Sequence, residues 1–353
     1  MILDSPLVKK EGKILRCNAC NHRCMITEGH AGICGIRSND NGKFNLSVYG
    51  RPCAIWIDPI EKKPLYHFLP GSKSFSIGTF GCNFGCDFCQ NSDISQAPKE
   101  ARQRDPKRWR EYFEKMLENL QELPPKGAVE TALANKCKSI SYTYNEPTIF
   151  TEYAMDIMDE AKKRKSNLKH VYVTNGYETD ECWDLLKGKL DAANIDLKSF
   201  NDTFYRNVCK ATLEPVLNSI KFAKKTGMWV EVTTLLIPDK NDNPDELRQA
   251  AEFLAGIDKE MPWHITSFHP EYKMLDTKAT PPESMIKARE IGLDAGLKHI
   301  YLGNLQGTYS NYETTICPKC KKTAINREGF SLIENNIIDG KCRFCKYKIK
   351  GIW

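Results

Sequence analysis

No stretch of this 353-residue chain approaches eighteen consecutive apolar residues, so no membrane-spanning helix is expected. The opening residues, MILDSPLVKKEGK, hold no apolar core segment of the kind a secretory signal needs. Neither sign of charge dominates. A net charge of +6 permits an acidic partner without demanding one. Hydrophobic residues make up 41% and charged residues 27%, which fits a globular chain rather than a disordered one. The length allows one large α/β domain with small appendages.

Cysteine is what the chain has in excess. There are 15, and eleven fall into three short-spaced groups. In a long chain without a leader this reads as metal ligation in a reducing, cytoplasmic setting rather than as disulfides. Cys17, Cys20, Cys24 and Cys34 are spaced C-x2-C-x3-C-x9-C. Zinc and an auxiliary iron–sulfur cluster both suit such a set, with the nearby His22 and His30 read as surface histidines. Cys317, Cys320, Cys342 and Cys345 are spaced C-x2-C-x21-C-x2-C, the pattern of a zinc ribbon. The lysines around these knuckles read as a solvated face, with a nucleic-acid surface as a weaker alternative. Cys53, Cys137, Cys182 and Cys209 stand alone and read as ordinary thiols. The remaining group, Cys82, Cys86 and Cys89, lies in GTFGCNFGCDFCQN. Three thiolates on one loop can each bind one iron of a [4Fe–4S] cube. The fourth iron is then open to a small molecule. Zinc is the alternative for this group too.

Between the cysteine groups, strands and helices alternate. Phe75–Phe80, Ser139–Tyr144, His170–Thr174, Ala192–Leu197, Trp229–Ile237, Trp263–Phe268 and His299–Leu302 read as strands, with helical segments between them. Asp105-Pro106 reads as a helix start, followed by a stripe of Trp109, Tyr112, Phe113, Met116, Leu117 and Leu120. This order predicts parallel strands with helices outside, a partial (β/α)6 TIM-like barrel. The expected organisation is an N-terminal Cys-rich module (1–50), a connector (51–73), the barrel (74–312) and a zinc-ribbon-like module (313–353). Lys62, Lys63, Tyr66 and His67 in the connector either face the active site or pack.

In such barrels chemistry sits at the C-terminal ends of strands. Glu146 follows the second strand and suits an ammonium group, or else the start of a helix. Asn175 follows the third and offers donor and acceptor groups. Asp196 and Lys198 end the fourth. Their spacing of two puts both on one side of the strand, toward the interior, where a charged pair needs a partner or a reason. His269 follows the sixth. Glu231 in the fifth strand can point inward, with no role assigned.

The three-cysteine loop, with Phe88 before its last cysteine, resembles that of the radical S-adenosylmethionine (radical SAM) enzymes. Asp196-Leu197-Lys198 and the His269 segment resemble those of the pyruvate formate-lyase activating enzymes. The strings CNACNHRC, IEKKPLYHFLPGS, YTYNEPT and PWHITSFHPEYKM, taken in order, are most similar to the radical SAM member of the AmmeMemoRadiSam system. The resemblance implies that Cys82, Cys86 and Cys89 hold a [4Fe–4S] cluster that cleaves SAM reductively to a 5′-deoxyadenosyl radical. Phe88 would then lie on the adenine, Glu146, Asp196 and Lys198 at the methionyl end with Asn175 beside them, and His269 at the ribose. It implies a flavodoxin- or ferredoxin-type electron donor, Memo-like and AMMECR-like partners, and a protein or small-molecule substrate left open. Activation of a glycyl radical enzyme is the second reading. A non-catalytic zinc protein that binds nucleic acid is the third. In the usual family motif two glycines precede the glutamate, and here Tyr144 and Asn145 stand in their place.

Overall fold

The computed structural model describes residues 1–305 and 310–353; the interval between them falls inside the expected 74–312 range. Its centre is an eight-stranded sheet: β1 (Ala54–Pro59), β2 (Lys73–Gly78), β3 (Ser139–Tyr142), β4 (Lys169–Thr174), β5 (Ala192–Asp196), β6 (Trp229–Leu236), β7 (Trp263–Ser267) and β8 (Ile300–Gly303). They lie side by side in chain order, and β8 does not close on β1. From β2 to β8 every pairing is parallel. The sheet is thus an open, parallel-dominated α/β barrel, and its seven parallel strands fall where the seven strands are read from the sequence.

The strands are apolar on both faces because helices cover the outer one. Those helices are α1 (Pro125–Ala134), α2 (Thr151–Lys163), α3 (Asp180–Leu186), α4 (Glu214–Lys225), α5 (Pro244–Ile257) and α6 (Pro282–Asp294). α2, for example, buries Tyr153, Ala154, Ile157, Met158 and Ala161 on one stripe and keeps Lys162 and Lys163 in its last turn. The helix expected from Asp105 begins at Trp109 instead. The Asp105 carboxylate turns the chain before it by accepting from the Lys107 and Arg108 amides at 3.1 Å each. Trp109, Phe113 and Leu117 of its stripe are buried, whereas Tyr112 and Met116 are exposed.

The connector is more than a link. Its residues 54–59 form β1, which pairs antiparallel with β2 from Ala54–Gly78 to Pro59–Lys73. Trp56 and Ile57 face outward on this edge and blur the alternation by which a strand is read. The N-terminal module docks through Arg37, which is buried and pairs with Glu152 of α2 at 2.6 Å. The C-terminal module holds a three-stranded antiparallel sheet, and the chain end returns to the connector, where Ile352 pairs with Phe68. Among the described residues no helix is long and apolar enough to cross a membrane.

Candidate active site

Parallel strands share one C-terminal rim, and there the barrel opens into a cavity of about 670 Å3. Cys82, Cys86 and Cys89 all line it, as do Phe88, Asn175, Asp196 and Lys198. The loop after β2 is held from several sides. Asn145 donates to the Gly81 carbonyl at 2.8 Å and to Thr79 Oγ1 at 3.1 Å. Gln96 donates to the Phe84 carbonyl at 3.2 Å, and Lys99 donates to the same oxygen. The Gly85 and Asp87 amides donate to the carbonyls of Cys209 and Val208. These contacts fix the loop, and the sulfurs have polar neighbours of their own: the Phe84 amide donates to Cys82 Sγ at 3.4 Å, and Ser95 Oγ lies 3.0 Å from Cys89 Sγ.

Burial pushes the Cys82 and Cys89 thiols up. At Cys86 a hydrogen bond with Cys209 comes first and burial second. Lys99 at Cys82, and Lys198 with Lys99 at Cys86, pull in the opposite direction. A bound metal would deprotonate such thiols outright. Cys209, a lone cysteine in the sequence, therefore neighbours the site from behind. No short spacing announces it, because its approach depends on how the segment after β5 packs. No fourth cysteine is among the cavity-lining residues. Three thiolates at an otherwise open cavity fit a [4Fe–4S] cluster with one iron left for another ligand.

Opposite them, Lys198 Nζ lies 2.9 Å from Asp196 Oδ2 and 5.6 Å from the centre of the Phe88 ring. Burial opposes the Lys198 charge, but Asp196 and the neighbouring thiols outweigh it and hold its pKa well above the usual range. The pair thus presents one cation and one anion together, as a zwitterionic amino acid end requires.

Glu146 is fully buried and does not line the cavity. Its carboxylate accepts from the Thr148 amide at 3.0 Å, Thr174 Oγ1 at 2.8 Å and the Asn175 amide at 2.7 Å. It caps the turn Pro147–Phe150 and ties the β3 and β4 loops together. Thr174 Oγ1 also lies 2.7 Å from Glu178 Oε1. Burial and the Glu146 charge push Glu178 up to about 8, so it holds its proton at neutral pH. Asn175 in turn donates to Asn83 Oδ1 at 2.7 Å, beside Cys82. His269 is half-exposed outside the cavity lining, 3.4 Å from Gln90 and 3.8 Å from Glu271.

The far wall comes from the connector and the tail. Lys63 Nζ contacts Asp58 at 2.6 Å and sits 4.4 Å from the Tyr144 ring, whose hydroxyl donates to Asp58 at 2.5 Å. Burial lowers Lys63 to about 8 despite Asp58. Tyr66 and His264 line the cavity, with Glu231 behind them. His67 turns away to Tyr301 and the Lys350 carbonyl. Glu313, Gly329 and Phe330 of the C-terminal module complete the wall.

The two four-cysteine groups differ. Cys317–Cys345 and Cys320–Cys342 sulfurs stand 3.6 and 3.7 Å apart, and all four lie within 4.8 Å of one another. That spacing suits a single tetrahedral ion. Cys17, Cys20, Cys24 and Cys34 instead surround one small hollow.

The Radical SAM superfamily model matches residues 76–254, a span from β2 into α5. Uncharacterized protein MJ0808 of Methanocaldococcus jannaschii is 41% identical over 97% of this chain and 96% of its own length. Putative glycyl-radical enzyme activating enzyme MJ1632 of the same organism is 26% identical over 63% of this chain and 78% of its own.

Proposed function

We propose, from the premise that the chain belongs to the radical SAM superfamily, that it generates a substrate radical at the Cys82–Cys86–Cys89 cavity. One observation supports this most: three buried-loop thiols and the Asp196–Lys198 pair line the same cavity, with no fourth cysteine to close the cluster. Cys82, Cys86 and Cys89 would hold a [4Fe–4S] cluster and, with SAM, supply a 5′-deoxyadenosyl radical able to take a hydrogen atom from a substrate. Lys198 would hold the SAM carboxylate and Asp196 its amine. Phe88 offers an apolar face to the adenine. Asn175 at the cavity wall and Glu146 one layer behind it would hold the loop that carries Cys82. The wall of Lys63, Tyr66 and His264 would orient the substrate and exclude water from the radical. A single zinc ion in the Cys317–Cys345 quartet would keep that wall in place.

The finer sequence resemblance points to an enzyme of the AmmeMemoRadiSam system, acting beside Memo-like and AMMECR-like proteins, with a flavodoxin- or ferredoxin-type donor. A second reading draws on the 26% identity to a putative glycyl-radical activating enzyme. It predicts a glycyl doublet in the EPR spectrum of a partner protein.

Anaerobic reconstitution followed by dithionite and SAM should yield 5′-deoxyadenosine, and Cys86→Ala should abolish it. A cluster-loaded protein that makes none would sink the proposal. Lys198→Met should raise the SAM concentration needed for half-maximal cleavage by about tenfold or more, as expected when a charged hydrogen bond worth roughly 1.5–3 kcal/mol is lost. An unchanged SAM requirement would remove Lys198 from the site.

A further inference from the structure

The N-terminal quartet is built unlike the C-terminal one. Tetrahedral zinc with Zn–S bonds of about 2.3 Å places its four sulfurs about 3.8 Å apart. The C-terminal sulfurs meet that, at 3.6 and 3.7 Å across two pairs. Among the described residues they are the one group of three or more such ligands drawn within 4.8 Å. Cys17, Cys20, Cys24 and Cys34 are not so drawn, although all four line one hollow. Cys82, Cys86 and Cys89 share this wider spacing. A cubane accounts for it, because each thiolate binds its own iron at a separate corner of the cube.

The surroundings agree. Ile26, Ile33 and Ile149 make the walls apolar. Arg37, itself 2% exposed, donates from Nε to Cys17 Sγ at 3.1 Å, a contact to a ligand sulfur of the kind that tunes a cluster. The hollow also abuts the active-site loop. Asn83, next to Cys82, forms part of its lining. His22 Nε2 lies 2.9 Å from the Asn83 carbonyl. Gly81 has φ +92°, and a Cβ there would meet the Cys34 carbonyl at 2.6 Å, so the two cysteine loops touch backbone to backbone.

We infer that Cys17, Cys20, Cys24 and Cys34 hold a second [4Fe–4S] cluster that relays single electrons to the Cys82–Cys86–Cys89 site. Four thiolates fill all four irons, so no iron is open to substrate and electron transfer is the chemistry left. A one-electron donor of the ferredoxin or flavodoxin class reduces this cluster from the 2+ to the 1+ state. The same electron passes to the active-site cluster, which goes from 2+ to 1+ as the first returns to 2+. No bond or proton changes. The relay rests on the proposed radical SAM reading; the occupancy of the quartet does not.

The test begins with iron, acid-labile sulfide and zinc counts on the anaerobically reconstituted full chain. Wild type should carry about eight irons and about one zinc. Cys17→Ala with Cys20→Ala should lose about four irons and keep the zinc. Loss of zinc with iron unchanged would overturn the assignment. That variant could misfold, so the converse one decides independently. Cys82→Ala, Cys86→Ala and Cys89→Ala together should keep about four irons, with a reduced EPR signal that SAM does not alter. An iron-free protein there would also overturn it. In stopped flow, a ferredoxin should reduce the active-site cluster at least about tenfold more slowly in the Cys17/Cys20 variant. Equal rates would remove the relay while leaving the cluster. Absence of 5′-deoxyadenosine from an eight-iron wild type would instead overturn the enzymatic reading alone.

Discussion

Four donors converge on the Glu231 carboxylate: the Tyr66 amide at 2.9 Å, the His67 amide at 2.7 Å, Trp229 Nε1 at 2.8 Å and His264 Nε2 at 2.6 Å. A side chain to which sequence reading assigns no role thus pins the connector to the barrel interior. Glu231→Ala leaves these buried donors unpaired and should cost roughly 3–5 kcal/mol, read as a fall in the urea midpoint. A midpoint unchanged from wild type would show that water replaces the carboxylate freely. Histidines set the acid side of the stability profile. Burial holds His170 and His299 down at about 4, below the ordinary 6.5. Between those values the unfolded chain binds more protons than the folded one, so stability falls as pH drops from 6.5 toward 4. Each histidine contributes up to about 3 kcal/mol. His299→Asn should flatten the acid slope of the urea midpoint, and an identical slope would contradict the assignment.

Among elements, β1 and the C-terminal module have consequences a linear reading misses. Arg327 of the C-terminal module is fully buried against the connector. It donates to the Tyr66 carbonyl at 2.5 Å and to Thr315 Oγ1 at 2.9 Å, and lies 3.7 Å from Glu61. Breaking such a buried set costs more than the set itself gains, because the partner charge is left behind. If the proposed zinc fills the C-terminal quartet, stripping it should loosen this clasp. Proteolysis should then cut within 317–345 before the visible iron–sulfur absorbance declines. Cleavage that waits for cluster loss would mean the module stands without its ion. The strand–helix alternation is legible because each parallel strand is a short apolar run and each helix a clear stripe. β1 opens with an equally apolar run, Ala54–Ile57, and is hidden instead by the prolines on either side of it, Pro52 and Pro59.

At the scale of the molecule, two cysteine-rich modules flank one cavity, and they differ in what they touch. The N-terminal one abuts the cysteine loop through Asn83 and Gly81; the C-terminal one lines the cavity through Glu313 and Phe330. If SAM binds the folded chain alone, a hundredfold excess over its Kd should stabilise the reconstituted protein by about 2.7 kcal/mol. The Cys86→Ala protein should show little of that gain in a thermal melt, and an equal gain would place SAM elsewhere.

Short-range spacing is enough to identify the three cysteine groups, the parallel strands and the Asp196–Lys198 pair, because each depends on residues a few positions apart on one loop or strand. Residues far apart in the chain are another matter. Glu146 has the position of a ligand contact, yet it lies buried behind Asn175, since three backbone and hydroxyl donors claim it first. Cys209 reaches Cys86, and Tyr66 and Lys63 reach the cavity, only once the barrel has closed around them. The same holds for the two quartets. On paper both are sets of four cysteines. One gathers its sulfurs around a single point and the other spreads them around a hollow, because where each sulfur ends up depends on how segments distant in the chain pack and not on their spacing.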